Sequence, residues 1–204
     1  IQENINNGNY GDDKRNRAAS FAAAGSDARM SGCPLPVMTT SGSGNQGMTA
    51  SLPIIRYCLD KGISRENMIR SLFLSHLLTI HIKTNVGRLS AYCGAVCAVS
   101  GVSGALAFLE KGDLKIVGDA VTNTLANISG LICDGAKASC ASKIATGVYT
   151  AFDSAMLALN NRVFNSEDGI VSQNIEKTIL NIGRLSQEGM VGTDNTILNI
   201  MTGK

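Results

Sequence analysis

The sequence predicts an all-α fold, a compact bundle of roughly seven to eight helices around a buried core of small residues. Three observations predict it. Hydrophobic residues make up 44% of the 204 residues but aromatics only 4%, with no Trp, so Ala and Gly must do much of the filling and helices can approach closely. Apolar residues recur at helical spacing, as in Ile69, Leu72, Phe73, Leu77 and Ile80. Alternating strand patterns are absent, no internal repeat stands out, and glycines separate the helical segments.

In chain order, residues 1–14 are polar and Asn/Gly-rich and read as a linker or frayed end, leaving residues 15–204 as the domain. An Ala-rich helix is expected from Arg15 to Ala24, stopped by Gly25. The longest irregular segment follows, Ser31 to Gly47, with Pro34, Pro36 and a Gly/Ser-rich run that disfavour a helix. A helix from Met48 to Lys61 ends at Gly62, and Ser64 caps the next, which runs towards Lys83. Further helices are expected over Arg88–Lys111, Ile116–Cys133, Ala136–Leu159 and Ser172–Gln187, with a short last one from Thr193.

Composition excludes several classes of function. A formal charge of +2 with no concentrated basic run argues against nucleic acid. Six cysteines in 204 residues are too sparse for a disulfide scaffold. With no secretory signal at Ile1, a reducing cytoplasm is the expected setting, and the Asn127-Ile128-Ser129 sequon carries little weight. The uncharged stretch from Leu89 to Leu109 approaches the ~20 residues of a membrane span. Its Gly, Ala and Ser content favours a helix buried on all sides instead.

Four groups of residues could carry chemistry. Cys93, Cys133 and Cys140 sit among small residues, in no CxxC pair and at no common zinc spacing. Three thiolates from separate segments could hold a [4Fe–4S] cluster at three corners and leave one iron open as a Lewis acid; inert buried cysteines are the alternative. Ser41-Gly42-Ser43-Gly44-Asn45-Gln46-Gly47 opens a helix, where free N–H groups and the helix dipole suit a carboxylate or phosphate; a capping loop is the alternative. Arg29 and Lys83 are either anion partners or solvated cations. His76 and His81 lie five apart and share no metal-binding face, Cys93 and Cys97 form an incomplete i, i+4 pair, and Cys33 and Cys58 have no partner.

Taken together, Ser26-Asp27-Ala28-Arg29-Met30, Pro34-Leu35-Pro36-Val37-Met38, the Ser41–Gly47 run, Ile82-Lys83, Gly87-Arg88-Leu89-Ser90, Cys93, Gly130–Ala136 and Cys140 resemble the L-cysteine desulfidase family. That family is related to the α chain of iron–sulfur L-serine dehydratase. The resemblance covers nearly the whole chain from about Arg15. It implies an all-helical domain in which Cys93, Cys133 and Cys140 ligate a [4Fe–4S] cluster whose unique iron takes the amino-acid substrate. In similar enzymes the substrate loses its α-proton and its β-substituent, and the released aminoacrylate hydrolyses to pyruvate and ammonia without pyridoxal phosphate. L-Cysteine would give sulfide as well; L-serine is the other substrate implied. The Ser41–Gln46 loop would grip the substrate carboxylate, with Arg29 or Lys83 assisting.

Members of this family are about twice as long, and the part expected before Ile1 carries the general base, a cysteine. The chain is therefore expected to hold the cluster and to be inactive alone. Implied partners are a small amino acid, the N-terminal domain or a separate subunit that supplies it, and a second copy in a homodimer; nucleic acid and membrane are not among them. Cys33 stands where the family motif would have a small residue. Two readings from other classes compete. One is a helical interaction or regulatory module with structural thiols, which would react only after unfolding. The other is a structural zinc site completed by Cys97, closed and without a catalytic position.

Overall fold

The structure, a computed structural model, describes residues 1–166 and 168–204. Among these it contains nine α-helices and no strand, the expected all-α bundle. They are α1 (Gln2–Asn6), α2 (Lys14–Met30), α3 (Gly44–Lys61), α4 (Arg65–Val86), α5 (Gly94–Lys111), α6 (Leu114–Ile128), α7 (Ser139–Leu159), α8 (Ile175–Arg184) and α9 (Val191–Thr202). A π-helical turn, Leu185–Gly189, joins the last two. Within the polar first 14 residues a short helix forms, and Ile5 is buried.

Capping sets most of the boundaries. Asp13, Ser43, Ser64, Asp113 and Asn174 each accept a backbone N–H from the first turn of α2, α3, α4, α6 and α8. Ser64 is where the sequence puts it, but α3 starts four residues earlier than expected, because Ser43 caps Gly44–Gln46 into the helix. Gly25 does not stop α2. It lies inside the helix, where a Cβ would come 2.6 Å from Leu52 Cδ1, so it serves close packing of α2 on α3. Likewise α5 starts at Gly94 rather than Arg88, α6 ends at Ile128 rather than Cys133, and α7 starts at Ser139 rather than Ala136. These three differences leave residues 87–93 and 129–138 as irregular chain, and they carry two of the three singled-out cysteines.

α5 is the axis of the bundle and packs against α3, α4, α6 and α7. Every residue from Val96 to Ala107 is buried. It is the one helix among the described residues long and apolar enough to cross a membrane, and 67% of it is buried inside the bundle. The core is built from small side chains, with Ala18, Ala22, Ala105, Ala151 and Ala155 packed around Ile54, Val99, Val102, Val148 and Phe152. Small residues let helix axes come close, and at Gly101 a Cβ would lie only 2.3 Å from the Ser75 carbonyl oxygen of α4.

Of the apolar residues whose period marks α4, Leu72 packs against the core, and the other four lie on the outer face. Ser71, Ser75 and Thr79 face the core, while Ile69, Phe73, Leu77 and Ile80 are exposed. The reason lies across the interface: Gly101 leaves room for a small side chain only, and Ser75 Oγ is committed to the Ala50 carbonyl at 2.8 Å.

Candidate metal and carboxylate site

Two irregular segments meet in an antiparallel bridge between Tyr92 and Ile132. The Cys93 N–H donates to the Leu131 carbonyl at 3.1 Å, and the Cys133 N–H donates to the Ala91 carbonyl at 2.7 Å. Cysteines 40 positions apart in sequence are thus fixed side by side through their own backbones. Cys93 is also the N-cap of α5, and Cys140 lies in the first turn of α7, its Sγ 3.7 Å from the Gly135 carbonyl. All three line one cavity of about 110 Å³.

The same cavity is lined by Ser43, Asn45 and Gln46 from the start of α3. Helices α3, α5 and α7 therefore begin at one place, and their N-terminal dipole ends converge on it, a field that favours anions and thiolates. Gln46 is only 8% exposed, and its Oε1 is buried with no hydrogen-bond partner. A buried amide oxygen left unpaired costs about 1–3 kcal/mol, and this one stands at the cavity as a free acceptor. Gly94 makes room for it: a Cβ there would lie 2.4 Å from Gln46 Nε2.

One cation faces the thiols. Lys143, one helical turn after Cys140, donates to the Ile132 carbonyl at 2.9 Å and pairs with Asp134, which Lys137 also contacts. Lys137 and Lys143 hold the Asp134 carboxyl well below the usual carboxylate range. Burial pushes the Cys93 thiol up, opposed by the Ala95 N–H and the charge of Lys143. No three His, Cys, Asp or Glu among the described residues converge closely enough for a single metal ion. Three cysteine thiols spread around one cavity are soft donors, of the kind that iron–sulfur clusters take one thiolate per iron.

The loop residues divide into two groups. Ser43, Asn45 and Gln46 reach the thiol cavity, and Gly44 is buried under Arg29 and Val37. Arg29 braces the loop from behind, with Nη1 donating to Asn45 Oδ1 at 3.2 Å. Ser41 and Gly42, both in left-handed conformation, line a separate cavity with Lys83 and Arg88. Lys83 is buried there and does not line the thiol cavity. Cys97 lies in the core among Ile82, Val96 and Val121, away from the cavity, so the zinc reading loses its fourth ligand. Cys33 is exposed, which removes the expectation that every thiol would be shielded until unfolding.

Lys143 was not among the residues singled out from the sequence, and for His76, which was, the partners were not foreseen. The signal for Lys143 was its i+3 offset from Cys140, which shares a helix face. His76 has no such signal, because its partners lie 25 and 36 residues away. Ser51 Oγ donates to the Gly47 carbonyl at 2.7 Å, so it accepts from His76 Nε2–H at 2.9 Å. Nδ1 then accepts from the Thr40 hydroxyl at 2.7 Å, and burial pushes this imidazole's pKa down, favouring that neutral tautomer. Thr40 pairs with Ser43 across the turn, through N–H···O bonds of 3.0 and 3.2 Å. His76 thereby ties the turn to α3. Gly47 completes the seat, since a Cβ there would strike the Met38 carbonyl oxygen at 2.0 Å.

The profile of the family described as serine dehydratase alpha chain matches residues 3–199. A UPF0597 protein of Fusobacterium nucleatum is 67% identical over 202 residues, covering 99% of this chain and 47% of the relative. One from Lachnoclostridium phytofermentans is 49% identical over 94% of this chain and 46% of its own length. One from Porphyromonas gingivalis is 42% identical over the whole chain and 47% of its own length. The chain thus spans about half the length of the curated relatives it matches. No solved structure matches it. With the family profile spanning almost all of its residues, the chain belongs to the serine dehydratase alpha chain family.

Proposed function

We propose that this chain supplies the cluster-holding and carboxylate-binding part of an iron–sulfur lyase that eliminates the β-substituent of L-cysteine or L-serine. The observation that carries this reading is that one cavity is lined by Cys93, Cys133 and Cys140 and also by the start of α3 with the unpaired Gln46 amide. Cys93, Cys133 and Cys140 would hold three corners of a [4Fe–4S] cluster. When bound, the cluster supplies a Lewis acid at the iron that has no protein thiolate.

The chain's own residues do the rest of the binding work. N–H groups in the first turn of α3 and the Gln46 Nε2–H group donate to the substrate carboxylate, with Ser43 and Asn45 beside them. The unpaired Gln46 Oε1 is left to accept from the substrate's ammonium group. The charge of Lys143 offsets the negative charge of the thiolates, and Asp134 keeps its ammonium group in place. Among the described residues Lys143 is the one charged side chain lining the cavity, and it is already paired with Asp134, so this reading takes the base that removes the α-proton from outside this chain. The half of the relatives' length that the chain does not span is its source.

Anaerobic reconstitution with iron and sulfide tests the reading. It should give a brown protein with about four irons per chain, and Cys133→Ser should lose the absorbance. A protein that takes up no iron, or a Cys133→Ser variant with an unchanged cluster, would sink it. Pyruvate and sulfide release by a full-length chain, assayed with both amino acids, then decides the substrate.

A further inference from the structure

We propose that the outer face of α4 is the surface on which the remaining half of the full-length protein docks. Ile69, Phe73, Leu77 and Ile80 are 52%, 67%, 48% and 45% exposed, although their spacing places them in one apolar stripe. The stripe is about 16 Å long, from 1.5 Å of rise per helical residue. It is exposed because packing at Gly101 commits the Ser71–Ser75–Thr79 face to the core, leaving the apolar side without a partner among the described residues. A continuous apolar face of this kind marks a protein interface.

The occupant follows from length. The Fusobacterium relative aligns with 99% of this chain, yet that alignment is 47% of the relative. A joined half is presented at millimolar effective concentration, higher than any second copy of the chain reaches in dilute solution. The position of the stripe agrees. Ile80 lines the cavity that also holds Ser41, Gly42, Lys83 and Leu89, and Leu89 is itself 95% exposed. A half seated on α4 would therefore lie over the outer side of the turn whose inner side faces the thiols. The inference rests on burial and length alone, and it stands whether or not a cluster binds.

Photocrosslinking in a full-length chain tests it. This region would replace the matching region of the Fusobacterium relative, with a benzophenone amino acid in place of Phe73. The expected product keeps the mass of a single chain and joins position 73 to peptides of the other half. A crosslinked dimer joined through position 73 would assign the face to a second copy and overturn the proposal. Crosslinks confined to this region, or none after complete photolysis, would overturn it too.

Discussion

Cysteines occur in two environments in this protein, and the contrast separates chemistry from packing. Cys58 and Cys97 sit in the bundle interior, where burial outweighs everything else, including the Lys83 charge and the backbone N–H that favour a Cys97 thiolate. Burial pushes Cys58 up to about 11 and Cys97 up to about 12. Cys133 and Cys140 are half-buried at the cavity rim, beside Cys93, Lys143 and the starts of three helices. The interior thiols fill space as small hydrophobes, whereas the rim thiols lie where helix dipoles and a lysine favour negative charge.

Exchanging one atom in each environment should give opposite results. Cys133→Ser and Cys140→Ser should abolish iron uptake on reconstitution and shift the urea midpoint little. Cys97→Ser should keep iron uptake and lose about 1–3 kcal/mol of stability, because its hydroxyl would be buried without a partner. Iron loss in Cys97→Ser with wild-type stability would break the distinction.

Alkylation provides a second contrast. At pH 8, a thiol with pKa near 12 is ionised to only about 1 part in 10⁴, roughly 10³-fold less than an ordinary cysteine. Cys97 should therefore react with iodoacetamide at least ~10³ times more slowly in the folded chain than in urea, while Cys133 and Cys140 label in the folded chain. The same shift links to stability. Cys97 is raised in the fold, so its contribution is fully present below about pH 9 and is lost as pH rises towards 12. Parent stability should fall by about 1 kcal/mol more per pH unit than that of Cys97→Ala between pH 9 and 11.

Glycines extend the comparison. At Gly101 an added Cβ meets the backbone oxygen of Ser75, which cannot move without shifting α4. Gly101→Ala should destabilise by about 1–3 kcal/mol or more in a denaturant titration. At Gly94 the Cβ meets the end of the Gln46 side chain, which can swing away. Gly94→Ala should therefore keep stability within about 1 kcal/mol. In a full-length active chain it should raise KM for the amino acid more than it lowers kcat, since Gln46 leaves the carboxylate site. Equal losses of stability in the two variants would remove the difference between core and cavity.

The interior was more legible in the sequence than the site, with one informative failure. Helix existence followed from Ala, Gly and Leu spacing, and the Ser64 cap stood where its side chain predicted. For α4 the apolar period marked the element but not which face is buried, because Gly101 sets that contact from another part of the chain. The three cysteines were noticed from their spacing and the family likeness. The bridge that joins Cys93 to Cys133 was hidden inside segments that read as helix. His76 acts through partners distant in the chain, for which a single sequence has no local signal, whereas Lys143 had one in its i+3 offset from Cys140.

His76 lies between the two environments and carries the smallest predicted effect. It reaches from α4 to hold Thr40 at the cavity turn and Ser51 on α3. Its pKa is lowered by burial, so the unfolded chain binds its proton more readily than the folded one. That contribution is present above the ordinary histidine pKa of about 6.5 and is lost as pH falls below it towards the folded value. Protonation would also give Nδ1 a hydrogen, so that it could no longer accept from Thr40. Urea midpoints measured between pH 7 and 5 should fall more steeply for the parent than for His76→Gln, by less than about 1 kcal/mol in total. Thr40→Val should lose about 1 kcal/mol at pH 7 and show faster amide exchange over residues 40–44. Unchanged exchange in that turn would show that α3 holds it without the imidazole.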